Sequence, residues 1–153
     1  MLTLRGPRFH WALLEGAILD NALGLPDVPR ILKSIPRNEK GEYVLCKVFE
    51  HTAEGRWLTP FSKRSVYVEE GEVVRTTYVA SSPTVECGYG LHVATREWCK
   101  KFFTEMPSIE PSSTFVPFEI YTDWVFVPLV GQGQFRCYWY RIGPQLGESC
   151  HDL

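Results

Sequence analysis

Apolar positions along the chain fall into two periods, and the change between them divides the molecule. From about Phe9 to Leu23, Trp11, Leu14, Ile18 and Ala22 recur at helical spacing with Leu13 and Ala17 beside them, predicting an amphipathic helix. Gly24 stops it and Pro26 prevents continuation. A second, shorter helix is expected with Asp27 as cap and Pro29 in its first turn, carrying Val28, Ile31 and Leu32 up to Pro36. From Tyr43 the period becomes two. Tyr43, Leu45 and Phe49 alternate with Val44, Cys46 and Val48, which predicts a central strand covered on both faces.

The remainder is expected to be mainly β. Ser65 to Glu69 and Glu72 to Ala80 predict a hairpin turning at Glu70-Gly71, its arms rich in Val and Thr. Leu91 to Ala94 predicts a brief buried strand with His92 in its middle. Thr95 then caps a helix that ends before Pro107, with Trp98, Cys99 and Phe102 toward the core and Arg96, Glu97, Lys100 and Lys101 toward solvent. Met106 to Ser113 is a Pro- and Ser-rich loop or lid. Thr114 to Val130 and Gln134 to Ile142 are strands joined through Gly131 to Gly133, and the tail after Gly143 is irregular. The fold class is α+β: an N-terminal helix or helix pair (residues 1 to 36), then a mainly antiparallel sheet (43 to 142) with one inserted helix, all in a single domain of residues 1 to 153.

Composition narrows the function. A chain of 153 residues, 44% hydrophobic, buries roughly two-thirds of its unfolded surface around one core. Sixteen basic against 18 acidic residues exclude the broad basic face that duplex nucleic acid demands. No apolar run has the length of a membrane span, and no leader pattern is present, so no membrane partner and a cytoplasmic location are expected. Five cysteines without a C-x-x-C pair fit reduced thiols.

Chemistry concentrates at Cys87-Gly-Tyr-Gly-Leu-His-Val-Ala-Thr95, which sets a thiol, two glycines and an imidazole before a helix. His92 has two readings, a core histidine bonded to a neighbouring carbonyl or a functional group. Cys87, His92 and Cys99 match no structural zinc spacing, so no metal and no cofactor are expected. A Cys87–His92 nucleophile pair lacks an orienting Asn or Asp. Arg75, Arg96, Arg136 and Arg141 are ordinary surface charges on one view. On the other, arginines on strands beside Tyr138, Trp139 and Tyr140 hold a phosphate and stack a base. The candidate ligand-binding residues are therefore His92, Tyr89, Arg96, Arg136 and Tyr138.

Lys47 in an early strand, Gly55-Arg-Trp-Leu-Thr-Pro60, Tyr67-Val-Glu-Glu-Gly71, Cys87-x-x-Gly-Leu-His-Val, a helix, then Val125-Phe-Val-Pro128 and Phe135-Arg-Cys137 follow one another in an order that resembles a domain of uncharacterised bacteriophage proteins. These include the C-terminal part of the phage rapid-lysis B type. The resemblance covers roughly Tyr43 to Ile142. It implies a phage or prophage origin and little about biochemical activity. For a small, near-neutral chain of that origin, with an N-terminal amphipathic helix, many Trp and Tyr residues and no catalytic set, the expected role is binding in host takeover or counter-defence inside the host cell. Its expected partner is a host protein or a small nucleotide signal, which it sequesters. More distantly, Leu91 to Thr95 followed by a helix is similar to the ADP-ribosyltransferase-like folds. That similarity implies an alternative, an enzyme using NAD, with His92 and Glu119 as candidate catalytic residues facing one cleft. His51 follows its strand without the Gly-Thr context of those folds. A nucleotide-sequestering protein is expected to gather Arg and aromatic side chains near His92, and a protein inhibitor to expose an apolar patch with Trp57, Trp11 or Trp124.

Overall fold

The computed structural model describes residues 28–60, 62–77, 79, 90–105, 113–127 and 133–153. The expected helix over Phe9 to Leu23 lies outside them, as do Cys87, Tyr89 and most of the loop after Met106. A helix α1 (Val28–Ser34) precedes β1 (Tyr43–His51), β2 (Trp57–Leu58), β3 (Val73–Arg75) and β4 (Leu91–Ala94). Helix α2 (Arg96–Glu105) follows, then β5 (Thr114–Thr122), β6 (Gln134–Cys137), β7 (Trp139–Gln145) and a 3-10 turn at Cys150–Asp152.

All strand pairs are antiparallel, in the order β3-β7-β5-β1-β4-β6, with β2 also on β1. Only Tyr138 separates β6 from β7, yet β6 pairs with β4 and β7 with β5, at opposite ends of the path. One bent strand thus joins the two sides, and the sheet curls on itself. β1 is central, as its two-sided apolar pattern requires. It meets β5 over its whole length, from Tyr43↔Thr122 to His51↔Thr114.

Strand parity separates two cores. The inner face carries Leu45, Phe49, Val93, Val116, Phe118, Ile120, Phe135, Cys137, Tyr140 and Ile142, closed at one end by Ile31, Leu32 and Ile35 of α1 and the turn after it. Phe49 and Ile142 are fully buried, each contributing about 2 to 3 kcal/mol. The outer face carries Cys46, Val48 and Ala94 beneath Cys99 and Phe103 of α2, with Cys150 completing the cluster. Thr95 caps α2 as expected, its Oγ1 accepting from the Trp98 N–H at 3.1 Å. Cys99 and Phe103 take the buried positions, and Trp98 and Phe102 stack half-exposed beside them at 4.6 Å.

Three expectations about the strands are corrected. The turn at Gly71 forms, with φ +92° and a Glu72 N–H to Glu69 carbonyl bond of 3.0 Å, but no hairpin follows it. Ser65 bridges to Leu58, while Val73 to Arg75 pair with β7. The arms separate because Val66, Val68 and Val74 each pack onto the inner core. β5 ends at Thr122, and among the described residues the stretch after it meets β6 at Phe126↔Arg136. The tail is ordered: β7 runs on to Gln145, and Gly143 lies where a Cβ would stand 2.9 Å from both the Glu119 carbonyl oxygen and the Tyr121 ring. A capping box at Ser149 and Asp152 then starts the 3-10 turn.

Candidate functional site at the β1–β4 seam

Since β5 occupies one edge of β1 completely, β4 and β2 must share the other. There the register pairs are Cys46↔Ala94 toward β4, and Glu50↔Leu58 and His51↔Trp57 toward β2. Between them, Lys47 to Phe49 have no strand partner on that edge among the described residues. The pairing of that edge is interrupted at this point, although Val48 and Phe49 themselves are buried.

Lys47 crosses the opening. Its position is an inner-face one, opposite Phe118, and its amine donates to the His92 carbonyl at 2.6 Å. The same nitrogen stands 5.5 Å from the centre of the Tyr140 ring and 5.8 Å from that of Phe49. The side chain is half-buried, with its surroundings apolar, and this burial holds the ammonium below the usual lysine range. The Cys137 thiol provides no counter-charge: burial pushes it up to about 12, so it stays protonated. Among the described residues no carboxylate pairs with Lys47; the ion pairs there are Lys63–Glu50 and Arg141–Glu42.

Farther along the same face of β1 lies a ring platform. His51 and Trp57 stack at 4.0 Å and 14°, and Trp57 stands edge-on to Phe118 at 5.5 Å. Both stacked rings are half-exposed. Four residues separate His51 from Lys47, about 13 Å along a strand, and Phe49 fills the interval.

On the other face, His92 and Arg136 oppose each other in register. Arg136 is 1% exposed and its guanidinium lies over the Phe126 ring at 4.8 Å. His92 is exposed, which corrects the expectation of a histidine inside a buried strand. Alternation explains it, because Leu91 and Val93 take the inner face and turn the residue between them outward. Tyr138 sits at the β6–β7 bend against Trp124, ring centres 5.5 Å apart. Arg96 is exposed at the start of α2. The seam thus brings His92 and Arg136 together, with Tyr138 two residues along the strand, while Arg96 stands apart on the helix.

Glu119 lies elsewhere. Cys46 opposes both Ala94 and Glu119, so these three form one row on the outer face. His92 is two residues and two strands from Glu119, about 12 Å at ordinary sheet spacings. The Glu119 carboxylate accepts from the Tyr121 hydroxyl at 2.6 Å. Among the described residues no three His, Cys, Asp or Glu side chains gather to hold a metal. Cys46, Cys99 and Cys150 form a buried thiol cluster in which Cys99 is raised far above the thiol range, first by its bond with Cys46 and then by burial. Such thiols are poor nucleophiles.

Four sequence segments therefore converge on adjacent strands: Lys47, Leu91 to Val93, Val125 to Val127 and Phe135 to Cys137. The environment of Lys47 escaped the sequence reading, although a lone lysine at the inward parity of Tyr43, Leu45 and Phe49 was a visible signal. Comparison with known proteins gives no matching family model, no matching curated protein and no matching solved structure. Among the described residues no helix is long and apolar enough to cross a membrane.

Proposed function

We propose that the protein binds and sequesters a small anionic ligand that carries a ring, a nucleotide signal being the natural class, and so serves host takeover or counter-defence in the host cytoplasm. The observation that carries this reading is Lys47, a cation kept among rings and a neutral carbonyl beside an open stretch of strand. An ammonium without a carboxylate partner in apolar surroundings gains from an incoming anion. The His51–Trp57 stack offers a face to a base. A host-protein target has less support. Trp124 is buried, Trp57 is half-buried, and the exposed large apolar side chains among the described residues are Tyr67 and Val73.

The test is a thermal-shift and calorimetric screen against cyclic di- and trinucleotides, NAD and ADP-ribose, on wild type and Lys47→Met. A ligand at a hundred times its Kd stabilises by about 2.7 kcal/mol, roughly 5 to 10 °C in a chain of this size. The expected result is such a shift in wild type and its loss in Lys47→Met. A flat response to every nucleotide, or a shift that the variant retains, refutes the reading.

A further inference from the structure

The amine at the seam has a chemical capacity beyond charge. We propose that Lys47 captures carbonyl compounds, condensing with an aldehyde or ketone that enters the β1–β4 opening to form an imine. The inference rests on reading the seam as a ligand site and names a reactive class for it.

Its footing is geometric. Lys47 lies at the inner-face parity of β1 beside a stretch, Lys47 to Phe49, that lacks a strand partner on the second edge among the described residues, and the contact of its amine with the His92 carbonyl is exposed, so a small molecule reaches the nitrogen there. Among the described residues the amine is held by one neutral acceptor, the His92 carbonyl at 2.6 Å, to which a neutral amine also donates, though more weakly than an ammonium. The titratable groups around it are Cys46 on its own strand, Cys99 of α2, Cys137 of β6 and Tyr140 of β7. Burial raises Cys137 and Tyr140, and bonding to Cys46 with burial raises Cys99, so these three stay uncharged at neutral pH and none of them holds the proton on Lys47. Apolar enclosure itself favours the neutral, nucleophilic amine.

The step balances without a redox partner. The nitrogen lone pair forms a bond to the carbonyl carbon while the carbon–oxygen π pair moves to oxygen, which takes a proton from solvent at the seam. The nitrogen releases one proton to solvent and the hydroxyl takes a second; the nitrogen lone pair then forms the carbon–nitrogen double bond as the carbon–oxygen bond breaks and water leaves, and the iminium gives its remaining N–H proton back to solvent. Net, amine and carbonyl give imine and water.

Pyridoxal 5′-phosphate is a suitable probe, because it joins an aldehyde to a ring and a phosphate. Wild-type protein is incubated with it and sodium cyanoborohydride between pH 6 and 10, and the reduced adducts are mapped by peptide mass spectrometry. An ordinary lysine is neutral in only about one molecule in 2,500 at pH 7. The expected result is modification of Lys47 at least tenfold faster than of the exposed Lys33, Lys40, Lys100 and Lys101 at pH 7, with its rate levelling off at lower pH than theirs. Lys47→Arg keeps the charge and must lose the fast adduct. Equal or slower labelling of Lys47 overturns the proposal, and needs no variant to be read. A nucleotide shift in the thermal assay with no preferential Lys47 adduct overturns imine formation while leaving sequestration standing. A fast Lys47 adduct with no nucleotide shift supports the imine and removes the nucleotide.

Discussion

Replacing Lys47 by Met separates a functional lysine from a structural strut. The substitution removes a charge-assisted hydrogen bond to the His92 carbonyl, a loss of about 1.5 to 3 kcal/mol. That carbonyl lies beside a half-open seam where water can replace the amine, which puts the cost at the low end. Against it stands relief from holding a cation between Phe49, Phe118 and Tyr140; exchanging buried charge for an apolar side chain of similar length is commonly neutral, or stabilising by about 1 to 4 kcal/mol. The two nearly cancel, and stability at pH 7 should stay within about 1 kcal/mol of wild type or rise. The linkage has a definite sign. Because the folded-state pKa is depressed below 10.5, the unfolded chain binds more protons between the two values, so this lysine makes stability increase with pH across that window. Cys137 acts oppositely: its folded thiol is held up to about 12 from 9.0, so stability falls as pH rises above 9.0. The difference between wild type and variant isolates Lys47. Urea unfolding followed by tryptophan fluorescence at pH 7 and pH 9.5 measures it, and the gap favouring Lys47→Met should shrink at the higher pH. A loss above about 3 kcal/mol at pH 7 would refute the reasoning and make Lys47 a brace of the fold.

Three further outcomes test the frame around the seam. Glu42 accepts from both Nη atoms of Arg141, at 3.0 and 2.7 Å, and Arg141 holds its carboxyl below the usual value against burial; the stabilisation is present above pH 4.5 and lost as pH falls through the depressed value. Glu42→Gln should therefore cost about 1 to 2 kcal/mol at pH 7, discounted for the partial exposure of Arg141, and show a shallower acid transition by circular dichroism. Lys63→Met leaves Glu50, 1% exposed with its Oε2 already unbonded, without its 2.5 Å partner; a loss of about 2 to 4 kcal/mol in urea is expected, with partial recovery on adding Glu50→Gln, and an unchanged midpoint would contradict it. Gly143→Ala presses a methyl to 2.9 Å from backbone and ring and should lower stability by about 1 to 3 kcal/mol, visible as a lower melting temperature; equal melting would show that β5 and β7 separate easily.

Local elements were legible where a single segment contains its own cause. The two-sided pattern of Tyr43 to Phe49, the Thr95 cap and the Gly71 turn each depend on neighbours a few residues away, and each forms. The partners of the arms beyond Gly71 were not legible. Val68 and Val73 look like facing hairpin residues, and only the free edge of β7 and the inner core decide that they part. His92 marks the boundary between these cases. Its alternation with Leu91 and Val93 already turned it outward, but the short apolar run around it suggested burial on both sides, and the covering of the outer face by α2 stops short of it at Ala94.

The seam itself arises from competition that no local pattern records. β4 pairs with β1 at Cys46↔Ala94 alone but with β6 over four register pairs, from Ala94↔Gln134 to Leu91↔Cys137, while β2 meets β1 from Glu50. The unpaired stretch of β1 falls between β4 and β2. Side chains there are drawn from the inner parity of β1, so an apolar residue at position 47 would have sealed the gap. A lysine there packs its stem along the rings and places one amine where a strand carbonyl and rings meet. Position 47 thus controls whether the opening is a defect or a site, which makes its substitution the most informative single change in the molecule.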